Sequence, residues 1–102
     1  MNIPSSVKIG GHIYKVSYPH QYVETSDYAG QCDNNTLEIR IADKTPTART
    51  RPESCVIEIF IHELLHAISC VWHGQMEEDQ VCAMSQGIFA FLVDNGYLPI
   101  VE

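Results

Sequence analysis

The sequence predicts an α+β domain on three observations. Apolar and polar residues alternate in short runs up to Ile41. Residues 52–73 and 77–94 repeat apolar side chains at helical spacing. A polar stretch, "DKTPTARTRP", separates the two kinds of pattern. At 102 residues a single domain over 1–102 with a modest core is expected.

"VKIGGHIYKVSY" reads as two short strands around a Gly10-Gly11 turn, with Pro19 interrupting the second. "QYVETSDYA" fits either a strand or a helical turn. Gly30 then punctuates the chain, and "GQCDNNTLEIRIA" reads as a hairpin turning at Asp33-Asn34-Asn35. In Leu37-Glu38-Ile39-Arg40-Ile41 the apolar and charged residues alternate, the period of a half-buried strand. The sheet is therefore expected to be small and rich in antiparallel pairs.

Pro52 suits the first turn of a helix, with Thr50 or Arg51 near the cap and Glu53 favourable to the dipole. That helix is expected to run to about residue 73, stopped by Gly74. Val56, Ile57, Phe60, Ile61, Leu64, Leu65 and Ile68 make it apolar around most of its circumference, which marks a central helix. The second helix shows an apolar stripe of Val81, Met84, Ile88, Phe91 and Leu92, and Asn95-Gly96 ends it.

The net charge of −7 argues against nucleic acid or an anionic membrane as partner. No signal peptide is read at the N-terminus and no run of about 18 apolar residues is read anywhere, so a soluble, cytoplasmic protein is expected. Cys32, Cys55, Cys70 and Cys82 form no C-x-x-C pair and are expected to be buried, reduced thiols.

The first helix contains "IHELLHAIS", the pattern H-E-x-x-H at His62-Glu63-Leu64-Leu65-His66. Side chains four apart lie on one helix face, about 6 Å apart along the axis, so two imidazoles can converge on one Zn²⁺. Glu63, rotated by about 100° from His62, lies beside such an ion without ligating it. Zinc lowers the pKa of water, and a nearby carboxylate can take the proton. A third ligand is needed. Cys70 and His73 lie about 12 and 16 Å from His62 along a continuous helix, too far to share its metal. The third-histidine pattern H-E-x-x-H-x-x-G-x-x-H fails because Ser69 and Trp72 stand at its last two fixed positions. Glu77 and Glu78, four and three residues before Val81, can both face inward from the start of the second helix; Asp79 turns away.

"GQCDNNTLEIRIA", "FIHELLHAIS" and "EEDQVCAMSQGIFAFLVDNG" together resemble the small H-E-x-x-H proteins of phages and prophages. These are similar to minigluzincins and to ImmA/IrrE-type metallopeptidases. The resemblance covers about residues 30–96. It implies a minimal zincin-like fold and zinc-dependent hydrolysis of peptide bonds, with one Zn²⁺ on His62, His66 and Glu78 and Glu63 as the base. Glu77 is the alternative third ligand. It also implies a peptide or protein substrate held along an edge strand at residues 37–41, and a bacterial host cytoplasm as the compartment. Tyr28, Tyr97 and His20 are candidates to stabilise the oxyanion, and Asp94 and Ser85 to orient the imidazoles. Two rival readings are an accessory binding module in which zinc is only a staple, and a metal-free interaction domain.

Overall fold

The computed structural model describes residues 3–20, 29–72 and 74–98. Residues 21–28, Tyr28 among them, lie outside these, as do His73 and Pro99.

Four strands come first: β1 (Ser6–Ile9), β2 (His12–Ser17), β3 (Gly30–Asp33) and β4 (Glu38–Ile41). Gly10 and Gly11 take positive φ values of 57° and 86°, the conformation a two-residue hairpin requires, and pair Ile9 with His12. Asp33 builds the second hairpin: its Oδ1 accepts from the backbone N–H groups of Asn35 (3.0 Å) and Thr36 (3.2 Å). The sheet order is β1-β2-β4-β3; β1–β2 and β3–β4 are antiparallel and β2–β4 is parallel. The antiparallel-rich sheet is as expected. The edge position expected for residues 37–41 is not: β4 is paired on both sides, with β2 through Lys15–Glu38 and with β3 through Asp33–Glu38. β3 folds back outside β4 and becomes the edge.

Alternation along β4 works as the pattern implies. Ile39 and Ile41 are fully buried. On the other face Arg40 pairs with Glu38 and, at 3.5 Å, with Asp33.

Helix α1 (Glu53–Val71) follows, with Pro52 itself as the N-cap rather than Thr50 or Arg51. The Pro52 carbonyl accepts from the N–H groups of Cys55 and Val56, and proline has no N–H to leave unpaired there. Val56, Phe60 and Ala67 join Ile9, Tyr14, Val16, Ile39 and Ile41 in one core. Ile57 and Ile61 turn the other way, into a second cluster with Leu98, Phe89, Leu92 and Val93. By length and composition α1 is also apolar enough to cross a membrane, contrary to the sequence expectation. Five of its buried apolar residues, Val56, Ile57, Phe60, Ile61 and Ala67, lie in these two clusters, each buried Ile or Phe contributing about 1.5–3 kcal/mol, while Ile68 is exposed.

Helix α2 (Glu78–Asp94) packs on α1 and on no strand among the described residues. Its orientation differs from the stripe expected. Val81 and Ser85 are buried, and Phe89, Leu92 and Val93 continue that face, whereas Met84, Ile88 and Phe91 are exposed. No charge stands between Asp79 and Asp94, so the pattern lacked a polar face to fix the rotation. The cysteines also differ from expectation: Cys55 and Cys70 are exposed and Cys32 and Cys82 half-buried, all four free.

Candidate metal centre

Residues 62–66 sit in the middle of α1, where the backbone is fixed from both sides. The His62 and His66 rings are 4.9 Å apart, and their Nε2 atoms face each other at 3.2 Å.

The link to α2 is folded back by Ser69. Its carbonyl accepts from the Gly74 N–H (2.7 Å), and its hydroxyl accepts from the Met76 N–H (3.0 Å). Glu77 is the N-cap: its side chain accepts from the Gln80 N–H, and the Gln80 side chain accepts from the Glu77 N–H at 2.8 Å. The Gln80 N–H also donates to Asp79 Oδ1 at 2.9 Å. Glu78, the first helical residue, places Oε1 2.8 Å from His62 Nε2 and Oε2 2.9 Å from His66 Nε2.

These three side chains could hold a metal ion; their donor atoms lie within 4.8 Å of one another. Metal–ligand bonds of about 2.0–2.1 Å in a tetrahedron put ligand atoms about 3.3 Å apart. The Nε2–Nε2 separation of 3.2 Å matches that edge, and each Glu78 oxygen stands 2.8–2.9 Å from one of the two imidazoles. Two imidazoles and a carboxylate are also a donor set that leaves a fourth position free.

Glu63 lies beside this set and outside it. It is buried, 7% exposed, and its pKa is raised to about 7, first by burial and then by the charge of Glu78. Room for it comes from Gly30 on β3. A Cβ at position 30 would stand 2.6 Å from Ile59 Cγ2 and 3.0 Å from Glu63 Oε2. The Cys32 thiol nearby is pushed up to about 12, by burial and then by Glu63, and so stays protonated.

The four side chains open onto a cleft of about 850 Å³. β3 forms one wall through Gly30, Gln31 and Cys32, and α2 lines another through Cys82, Ser85 and Gln86. Glu58, one turn before His62, also lines it.

The structure thus brings His62, Glu63, His66 and Glu78 to one cleft. Of the expected oxyanion and orienting residues that are described, Tyr97, Asp94 and His20 do not line the cleft. Tyr97 is exposed beyond the far end of α2, about 24 Å of helix from Glu78. Asp94 shares that end. His20 Nδ1 pairs with Ser17 Oγ at 2.9 Å, away from the cleft. Ser85 reaches the cleft, but its hydroxyl donates to the Cys82 carbonyl at 3.0 Å.

Sequence reasoning missed Cys82. Its Sγ lies 3.9 Å from His62 Nδ1 and 3.7 Å from Glu78 Oε1. Burial and the neighbouring Glu78 raise its pKa. The spacing of four from Glu78 was the available signal. Compared with family models, curated proteins and solved structures, the chain matches none, so its site is read from its own geometry.

Proposed function

We propose that the chain is a zinc-dependent peptidase in which His62, His66 and Glu78 hold one Zn²⁺ and Glu63 is the general base. The observation that carries this reading is the position of Glu63. It is a buried carboxylate with a pKa near neutrality, set against the donor triple without joining it. A general base needs that placement, close to the ion and its water yet outside the ligand set. The H-E-x-x-H spacing of His62, Glu63 and His66 supports the same reading.

The chain's own residues divide the work. β3, the edge strand of the sheet among the described residues, runs along the cleft and offers its outer side to an extended peptide or protein segment. Glu63 takes a proton from the attacking water and later gives it to the departing amine nitrogen. A bound zinc ion supplies the Lewis acidity that acidifies the water and polarises the scissile carbonyl. The four unpaired thiols support a reducing, cytoplasmic setting.

A second reading, zinc as a staple in a binding module, is favoured by one observation: the expected oxyanion donors His20 and Tyr97 stand away from the cleft. Metal analysis and a peptide panel separate the two. The enzyme reading expects about one zinc per chain, peptide cleavage by the wild type, and a loss of about 10²-fold or more in Glu63→Gln with zinc retained. A full zinc load with no cleavage of any peptide selects the staple. A chain that takes up no zinc removes both.

A further inference from the structure

We propose that Cys82 is a positioning residue that ties two of the candidate ligands together, one from each helix. The proposal rests on the zinc reading above. A histidine that ligates through one nitrogen almost always donates its other ring N–H to a fixed partner, which sets its tautomer and ring orientation. His62 turns Nε2 toward His66 and Glu78, so its proton belongs on Nδ1. The group facing Nδ1 is the Cys82 sulfur, at 3.9 Å. The same sulfur lies 3.7 Å from Glu78 Oε1.

A thiol has one S–H donor and a weak acceptor sulfur. Both are used: the His62 Nδ1–H donates to sulfur, and the S–H donates to the Glu78 carboxylate. Cys82 follows Glu78 by one helical turn, which stacks the thiol against that carboxylate. Ser85, buried and bonded to the Cys82 carbonyl, holds the turn from behind. One side chain therefore fixes the imidazole of α1 and the carboxylate of α2 in register. Its sulfur approaches the nitrogen that does not face the other ligands, which makes it an orienting group and not a fourth ligand.

The test is metal affinity, read without activity. Zinc binding to the full chain is measured by competition with a chromophoric chelator for the wild type, Cys82→Ala and Cys82→Ser. Removing such an outer partner is expected to weaken zinc binding about 10-fold or more in the alanine variant, with serine intermediate. Zinc binding as tight in Cys82→Ala as in the wild type overturns the proposal. Two readouts do not depend on that variant folding. The cobalt-loaded wild type is expected to lack a thiolate-to-metal charge-transfer band; its presence makes Cys82 a ligand and overturns the positioning role. In the zinc-loaded wild type the His62 Nδ1 proton is expected to be visible by NMR and slow to exchange, and rapid exchange overturns the proposal. A wild type that binds zinc but cleaves nothing removes the peptidase reading and leaves this one standing. A wild type that binds no zinc overturns both.

Discussion

Helix α1 is held from two sides and helix α2 from one. α1 buries Val56, Phe60 and Ala67 against the sheet and Ile57 and Ile61 against the cluster around Leu98. α2 buries Val81 and Ser85 toward α1 and leaves Met84, Ile88 and Phe91 in solvent. The candidate site straddles this difference. Two imidazoles and Glu63 sit on the firmly packed helix, and the third donor sits at the first turn of the other. Stability is therefore concentrated where the histidines are, and the geometry of Glu78 depends on a single interface.

The largest contrast is in the core. Phe60→Ala, at a site 2% exposed, is expected to cost about 3–5 kcal/mol in denaturant unfolding. A much smaller loss means that α1 is not the anchored partner. The next effect concerns Glu63 in the metal-free protein. Its folded pKa of about 7 lies above the ordinary value of 4.5, so the folded state binds more protons between them. Stability is then full below pH 4.5 and falls as pH rises through 7, by about 3 kcal/mol in all. Glu63→Gln is expected to flatten that slope and to be the more stable protein at pH 8. An unchanged slope means that burial does not strain this carboxylate.

Gly30→Ala comes third. The added methyl meets Ile59 and Glu63, and overpacking of this kind costs about 1–3 kcal/mol. Under the proposed peptidase reading it would also lower kcat, because the Glu63 carboxylate must shift. Smallest is Phe91→Ala on the outer face of α2, where the side chain is 57% exposed and a change within about 0.5 kcal/mol is expected. A cost like that of Phe60→Ala erases the difference between the helices.

Much of this was legible in the sequence for local reasons. The two helices announce themselves by period, and the spacing of four puts His62 and His66 on one face whatever they pack against. The choice of Glu78 over Glu77 was also within reach. Glu77 and Gln80 stand at the spacing of a reciprocal cap, which marks Glu77 as the N-cap and Glu78 as the first helical residue. Strand order was not local. The parallel β2–β4 pair joins residues more than 20 positions apart, so no short-range pattern marks β4 as central and β3 as the edge. The rotation of α2 was hidden because Gln80 through Val93 carry no charge. Cys82 acquires meaning only when the two helices are brought together, and Gly30 only when Glu63 is set against it.

Because Glu78 comes from a helix that packs on α1 and on no strand among the described residues, metal affinity at the candidate site and helix docking would be one equilibrium seen from two ends. An ion that needs all three donors binds only the docked arrangement. If α2 were docked in about a tenth of molecules, the apparent Kd would be about tenfold weaker than that of the assembled site. By the same linkage, the ion would clamp α2 in place. Substitutions far along the α1–α2 interface, at Ile57 or Phe89, then act on the metal without touching it.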